Sequence, residues 1–300
     1  MIQTTEKLGT SAAAIEHIYD VGNEFFELFL GSSMTMSSAL WHPFDSLESA
    51  QIRQIDYHIA QSRAKGAKRV LDIGCGWGAM LKRLVDEYQV EQAIGLNLSK
   101  TQIDWMAMSS HSQIEVRAED WTQHCPEQLY DAIVAVEILD HCARMELSSS
   151  EKVAAYQAFF QRCHDWLKPG GSMSVQVHTY GTMRPEELKQ LDPALLDELD
   201  AVEPESELPC LDEITTAIAP LFELVTLRND RSDALRTHQA WYQRLHRHRD
   251  EAIKLVGAEV TEQFERNLQY AIFCYASGAT NLLRFTLRRI DHPWHWYLEQ

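Results

Sequence analysis

The sequence predicts an α/β protein: a doubly wound parallel sheet with helical segments forming a cap over it. Three observations carry this reading. Residues 70–78, Val-Leu-Asp-Ile-Gly-Cys-Gly-Trp-Gly, read as a buried strand that runs directly into three alternate glycines. The stretch Ala79–Val85 that follows reads as a helix. Short apolar strands then recur with helical stretches between them, which is the pattern of βαβ units.

In chain order, residues 11–30 read as a helix, with Ile15, Ile18 and Tyr19 on one stripe and Gly22 as a break. Residues 47–63 read as a second helix leading to the first strand. Gln92–Leu96, Gln113–Arg117 and Tyr130–Val136 read as the next three strands. Ser172–His178 reads as the fifth, introduced by the turn Lys168-Pro169-Gly170-Gly171. Residues 181–210 are polar, acidic and proline-containing, an excursion from the sheet. Phe222–Leu227 reads as a strand, 236–277 as a long helical region, and 281–290 as the last strand. The expected division is a helical lid over 1–55, a cofactor-binding core over 56–180, and the remaining core strands with helical cap insertions over 181–300.

Three hundred residues with 45% hydrophobic content suffice for a sizeable core. A formal charge of −17 argues against nucleic acid or a stable membrane association, since both partners select a positive surface. The best basic cluster, Arg244 to Arg249, reads as a solvated helix face. No apolar h-region and no membrane-spanning run is seen. The six cysteines are scattered without a C-x-x-C pair, so neither a disulfide framework nor a metal site is expected. Reduced thiols point to the cytoplasm. His42, His58 and His124 read as structural histidines.

A strand, a tight glycine turn and a helix N-terminus allow a cofactor to lie against bare backbone. Asp72 stands where a dinucleotide site would usually have an apolar residue. The third glycine comes one residue too early for G-x-G-x-x-G. The run D-x-G-x-G-x-G resembles the first motif of class I S-adenosylmethionine-dependent methyltransferases. That resemblance implies a Rossmann-like sheet and S-adenosylmethionine as cofactor. Gly74, Gly76 and Gly78 would make room for its methionyl part, and Asp72 would help hold its ammonium.

Further motifs resemble the cyclopropane-fatty-acid synthase family, which includes mycolic acid cyclopropane synthases, over nearly the whole chain. His17-Ile18-Tyr19-Asp20-Val21-Gly22-Asn23 is similar to the family's H-Y-D-V-G-N opening. Leu30 to Ala39 resembles L-G-x-x-M-T-Y-S-C-A, and Gly95 to Gln102 resembles G-L-T-L-S-x-x-Q. Residues 203–209 keep only Pro204, Leu208 and Pro209 of F-P-G-G-x-L-P. The resemblance implies that Met36 and Ser37 cover the methionine end and that Asn97, Leu98 and Gln102 hold the ribose. It implies that Asp120 and Trp121 flank the adenine, with Val136 also at the cofactor.

The acceptor side departs from the family. Its cyclopropanating members hold a bicarbonate base with a cysteine, a glutamate, a histidine and a tyrosine. Here the matching positions are Ser38, Asp140, His178 and, in a loose alignment, Ala234. Glutamate to aspartate withdraws the carboxylate by roughly 1.5 Å. The same methyl donor with a different acceptor is expected. Glu137, Asp140, His141 and His178 follow strands four and five, where open α/β sheets place their sites. They are the catalytic candidates, with Tyr19 of the opening motif. The leading reading is a C-methyltransferase for an unsaturated or electron-rich small molecule of lipid, isoprenoid or other natural-product origin. The alternatives are an N-methyltransferase of a small amine, a methylation-coupled cyclase and a non-catalytic cofactor-binding protein.

Overall fold

The computed structural model describes residues 21–108, 111–182, 187 and 206–291. Seven strands form one sheet: β1 Arg69–Ile73, β2 Gln92–Leu96, β3 Ile114–Arg117, β4 Tyr130–Val136, β5 Leu167–Tyr180, β6 Phe222–Asn229 and β7 Thr280–Arg289. Their spatial order is β3-β2-β1-β4-β5-β7-β6. The described helices are α1 Asn23–Leu30, α2 Leu47–Gln61, α3 Ala79–Asp86, α4 Lys100–Ala107, α5 Ser149–Trp166, α6 Leu211–Ile218, α7 Arg231–Arg247, α8 Arg249–Val256 and α9 Ala258–Ser277.

The first five strands are parallel, with Leu71 opposite Ile94 on one side and Ile133 on the other. Burial on both faces explains why β1 and β4 read as nearly unbroken apolar runs. The parallel, doubly wound arrangement expected from the alternation holds over β1 to β5, and the far side of the sheet adds antiparallel strands. β7 runs antiparallel to both β5 and β6, making the sheet mixed. The physical reason is a tight return: the chain leaves α9 through Gly278, φ 84°, and enters β7 beside the strand it must pair. Nine register pairs with β7, from Ser172 to Tyr180, also carry β5 past the expected Ser172–His178. His178 therefore lies within this strand and not after it.

The long helical region expected over 236–277 is made of α7, α8 and α9. It breaks at His248 and at Gly257, where φ is 87°. Gly22, φ 112°, precedes α1 as the sequence suggested; the remainder of the 11–30 helix lies outside the described residues.

Two apolar clusters position the site. One packs α5 against the sheet through Tyr156, Phe159, Phe160 and Trp166, all buried. Removing such side chains from water contributes about 1.5–3 kcal/mol each. The other joins α1 to the late helices: Phe25, Phe26 and Phe29 meet Trp77, Trp241, Leu245 and Phe264. Trp77 belongs to the glycine loop, so the α1 cap rests directly on that loop. Among the described residues no helix is long and apolar enough to cross a membrane.

Candidate functional site

A cavity of about 590 Å³ opens beyond the C-terminal ends of β1 and β4 and beside His178 of β5. All the sequence candidates line it except two. Gly78 instead caps the N-terminus of α3, where a Cβ would lie 2.7 Å from Met106 Sδ. Tyr19 lies outside the described residues.

The glycine loop forms the floor. Gly74 and Gly76 have φ of 76° and 52°, which glycine adopts without strain. A Cβ on Gly74 would meet Ile138 Cδ1 at 2.0 Å, whereas one on Gly76 would meet nothing within 4 Å. The two glycines thus do different work: Gly74 permits packing, and Gly76 presents bare backbone to the cavity. Behind them Asp72 is 3% exposed, and burial pushes its carboxyl up to about 7. A cation beside it would hold it ionised.

At the end of β2 the Asn97 side chain is largely committed. Its Nδ2 donates to Gly76 O at 3.0 Å and Gln102 Oε1 at 2.9 Å, and its Oδ1 accepts from Ser99 N–H. The Gln102 Nε2 hydrogens remain uncommitted among the described residues and are available to a hydroxylated ligand. Asp120 accepts from Thr122 N–H at 2.7 Å, and Trp121 meets Phe159 edge-on at 5.3 Å. These two shape the opposite wall.

The other half of the cavity is acidic and aromatic. Asp140 follows β4 in a 3-10 turn, Leu139–His141, and is 4% exposed. Its Oδ1 has no hydrogen-bond partner among the described residues. His141 Nδ1 lies 3.1 Å from Ser206 Oγ. Glu137 is half-buried and holds a left-handed backbone conformation, φ 56°, that a non-glycine residue rarely adopts. Its Oε1 accepts from Ser38 N–H at 2.9 Å and Gln176 Nε2 at 2.7 Å, and its Oε2 lies 3.4 Å from His178 Nε2. Burial raises the Glu137 carboxyl, but the His178 charge and hydrogen bonds from His178, Ser38 and Gln176 outweigh it. They hold the group down to about 2.

On the other side of its ring, His178 Nδ1 is hydrogen-bonded to the Tyr275 hydroxyl at 2.5 Å. Tyr275 comes from α9 and packs with Ala234 of α7. A phenol thus stands beside the position that the family resemblance assigns to tyrosine, supplied from a different helix. His238 packs between Tyr275 and Trp241, with ring centroids 5.1 and 4.9 Å away. Its Nδ1–H donates to Ala234 O at 2.9 Å, which makes Nε2 the acceptor nitrogen. Burial lowers its pKa to about 4, so the ring is neutral.

Sequence reasoning missed His238, Trp241, Tyr275, Gln176 and Arg284. Arg284 is fully buried in β7 and donates to Gln176 Oε1 at 2.7 Å, Ser38 O at 2.9 Å and Ala39 O at 3.1 Å. Its ion-pair partner is Asp230. His58 completes this network. Gln176 Oε1 is an acceptor, so His58 Nε2 donates to it and Nδ1 accepts from Ser174 Oγ. Burial lowers the His58 pKa to about 3. His124, bonded to Glu119 and Tyr130, is likewise a structural histidine. An arginine and a glutamine in otherwise apolar strands were the available signal, since such groups are buried only with partners.

A family model described as mycolic acid cyclopropane synthetase matches residues 6–285. The S-adenosylmethionine-dependent methyltransferase UmaA of Mycobacterium tuberculosis (strain ATCC 25618 / H37Rv) is 27% identical over 289 residues, 91% of this chain and 96% of UmaA. Mycolic acid cyclopropane synthase CmaA1, solved in complex with SAH and CTAB, superposes with a TM-score of 0.83. It is 25% identical, covering 94% of this chain and 99% of that one. Coclaurine N-methyltransferase shares the fold, with a TM-score of 0.80 at 17% identity, covering 96% of this chain and 84% of that one.

Proposed function

The chain belongs to the mycolic acid cyclopropane synthetase family and is an S-adenosylmethionine-dependent methyltransferase, and from that premise we propose that it methylates carbon in an unsaturated or electron-rich small molecule. A lipid or isoprenoid chain is the favoured acceptor class. The cavity fits the cofactor. Gly76 offers backbone where any side chain would intrude, and Asp72 offers a buried carboxylate for an ammonium. Gln102 has donors for ribose hydroxyls, and Trp121 a ring for the adenine. When bound, the cofactor supplies an electrophilic methyl group. The protein aligns the acceptor and excludes water, which the α1 cap and the aromatic wall accomplish together.

The observation that carries the carbon reading is the wall of the cavity. An ionised carboxylate, a neutral imidazole and an indole, Glu137, His238 and Trp241, line one space. Methyl addition to an alkene leaves positive charge on carbon, and carboxylates and aromatic faces stabilise such charge. Asp140 and His178 border the same space. An ammonium acceptor would first have to lose a proton, which calls for a base titrating near neutrality. The Glu137 carboxyl, held down to about 2, does not supply that base.

Ser38, Asp140 and Ala234 stand in three of the four bicarbonate-ligand positions, so cyclopropane formation on phospholipid acyl chains is not the proposed activity. The test is incubation with methyl-labelled S-adenosylmethionine and a fractionated lipid and metabolite extract. Label on carbon of an unsaturated product is the expected result. Label only on nitrogen would overturn the carbon assignment, and no transfer at all would overturn catalysis.

A further inference from the structure

We propose that Glu137 is a resident catalytic base, its carboxylate facing the cation that methyl transfer leaves on the acceptor and taking the proton that cation sheds. The inference rests on the methyl-transfer reading of the site and deepens it.

Glu137 ends β4 in a left-handed conformation, and such strain persists only where surroundings enforce it. The enforcement is visible. Its own N–H donates to Gln176 O at 2.7 Å, and the Gln176 side chain grips its carboxylate. Gln176 is itself held by Arg284 and His58. The strained backbone therefore places one particular side chain in one particular orientation. The two carboxylate oxygens are differently engaged. Oε1 takes two donors, Ser38 N–H and Gln176 Nε2, whereas Oε2 meets only His178 Nε2 at 3.4 Å among the described residues. Oε2 thus retains accepting capacity. Tyr275 fixes the His178 ring from behind, making it a positioning residue for Glu137.

The chemistry balances. An alkene that has received a methyl cation through its π pair carries one positive charge on carbon. An adjacent C–H bond breaks and its electron pair forms a new C=C bond. The proton goes to Glu137 Oε2, giving a neutral carboxylic acid. A C–H bond beside a carbocation is a very strong acid, so even a weak base removes its proton. What the reaction needs is an anion that stays ionised and is already in place. The low Glu137 pKa thus suits this substrate class.

The test uses octyltrimethylammonium, a fixed cation on an alkyl chain, titrated by calorimetry into the full-length protein saturated with S-adenosylhomocysteine. Glu137→Gln keeps the shape and removes the charge. It is expected to weaken octyltrimethylammonium binding by about tenfold or more, the scale of one partly buried ion pair. S-adenosylhomocysteine affinity should stay within about twofold, a change of less than 0.5 kcal/mol. Glu137→Gly relieves the backbone strain and guards against a folding defect in the first variant. Added formate is expected to restore cation binding to it and to leave the wild type unchanged. Equal cation affinity in wild type and Glu137→Gln would overturn the proposal, as would a wild type that binds no cation or a Glu137→Gly that formate does not restore. If S-adenosylhomocysteine itself fails to bind the wild type, the methyl-transfer reading falls instead.

Discussion

Trp77 Nε1 donates a hydrogen bond to Asn23 Oδ1 at 2.7 Å, fastening the glycine loop to the first turn of α1. The same indole lies 5.0 Å from the Phe26 ring. Among the described residues the cap therefore meets the loop through this polar contact and this aromatic one. Asn23→Ala is expected to weaken S-adenosylhomocysteine binding about 3- to 10-fold, the effect of one net hydrogen bond. Calorimetry reads this directly; an unchanged affinity would mean that the cap and loop act independently.

Gly74 and Gly76 should fail differently. Gly76→Val meets no atom within 4 Å, so its side chain enters the cavity and should abolish cofactor binding, at a stability cost of about 1–3 kcal/mol for a β-branched residue at φ 52°. Gly74→Ala drives a methyl group into Ile138 and should be destabilised by about 1–3 kcal/mol, the usual cost of overpacking. Thermal melts and S-adenosylhomocysteine titration of both variants separate the two roles.

Asp72 gives the ligand-free protein a pH dependence of known sign. Its folded pKa is raised to about 7 from an ordinary 3.8, so its ionisation opposes folding increasingly as pH rises through that window. Asp72→Asn lacks this effect. The Tm of the variant minus that of the wild type should grow between about pH 4 and pH 7 and level off above. Saturating S-adenosylhomocysteine should shrink the gap. A gap independent of pH would refute the assignment.

Asp140→Asn should leave S-adenosylhomocysteine affinity near wild type and lower turnover by about 10²-fold, the usual scale for removing a polar group aimed at charge that develops in the transition state. The assay uses whichever acceptor the labelled-methyl screen identifies. Wild-type turnover in the variant would remove Asp140 from the mechanism.

Arg284→Leu cuts the anchor between β7 and the segment carrying Ser38 and leaves Asp230 paired with Arg228 alone. A loss of about 1–3 kcal/mol is expected, the cost of leaving a buried acceptor such as the Ala39 carbonyl without its donor. Urea denaturation measures it. A near-neutral result would show that the network is dispensable for stability.

The strand, glycine loop and helix at 69–86 were legible because their signals are local: an apolar run, glycine spacing and helical periodicity. Asp140 was legible because chain position after a parallel strand locates a site, and His178 because it lies near the C-terminal end of one. Glu137 was named, but its grip by Gln176 and Ser38 could not be foreseen, since those partners lie 39 and 99 residues away. Tyr275 and His238 sit on amphipathic helices where polar residues read as solvent-facing; only tertiary packing turns them inward. The insertion of β7 between β5 and β6 was equally hidden, because strand patterns carry no information about who pairs with whom.

That insertion bears on how the protein is made. β6 pairs with β7, and β7 is synthesised only after α7, α8 and α9 have emerged. Until then the growing chain carries β5 with one edge open, its Met173, Val175 and Val177 lacking their final neighbours. An open apolar edge invites pairing with another chain. Ribosome stalling or proteolytic clipping before residue 280 should therefore yield sticky fragments that engage chaperones. The sheet stays incomplete until β7 slides into the slot between β5 and β6.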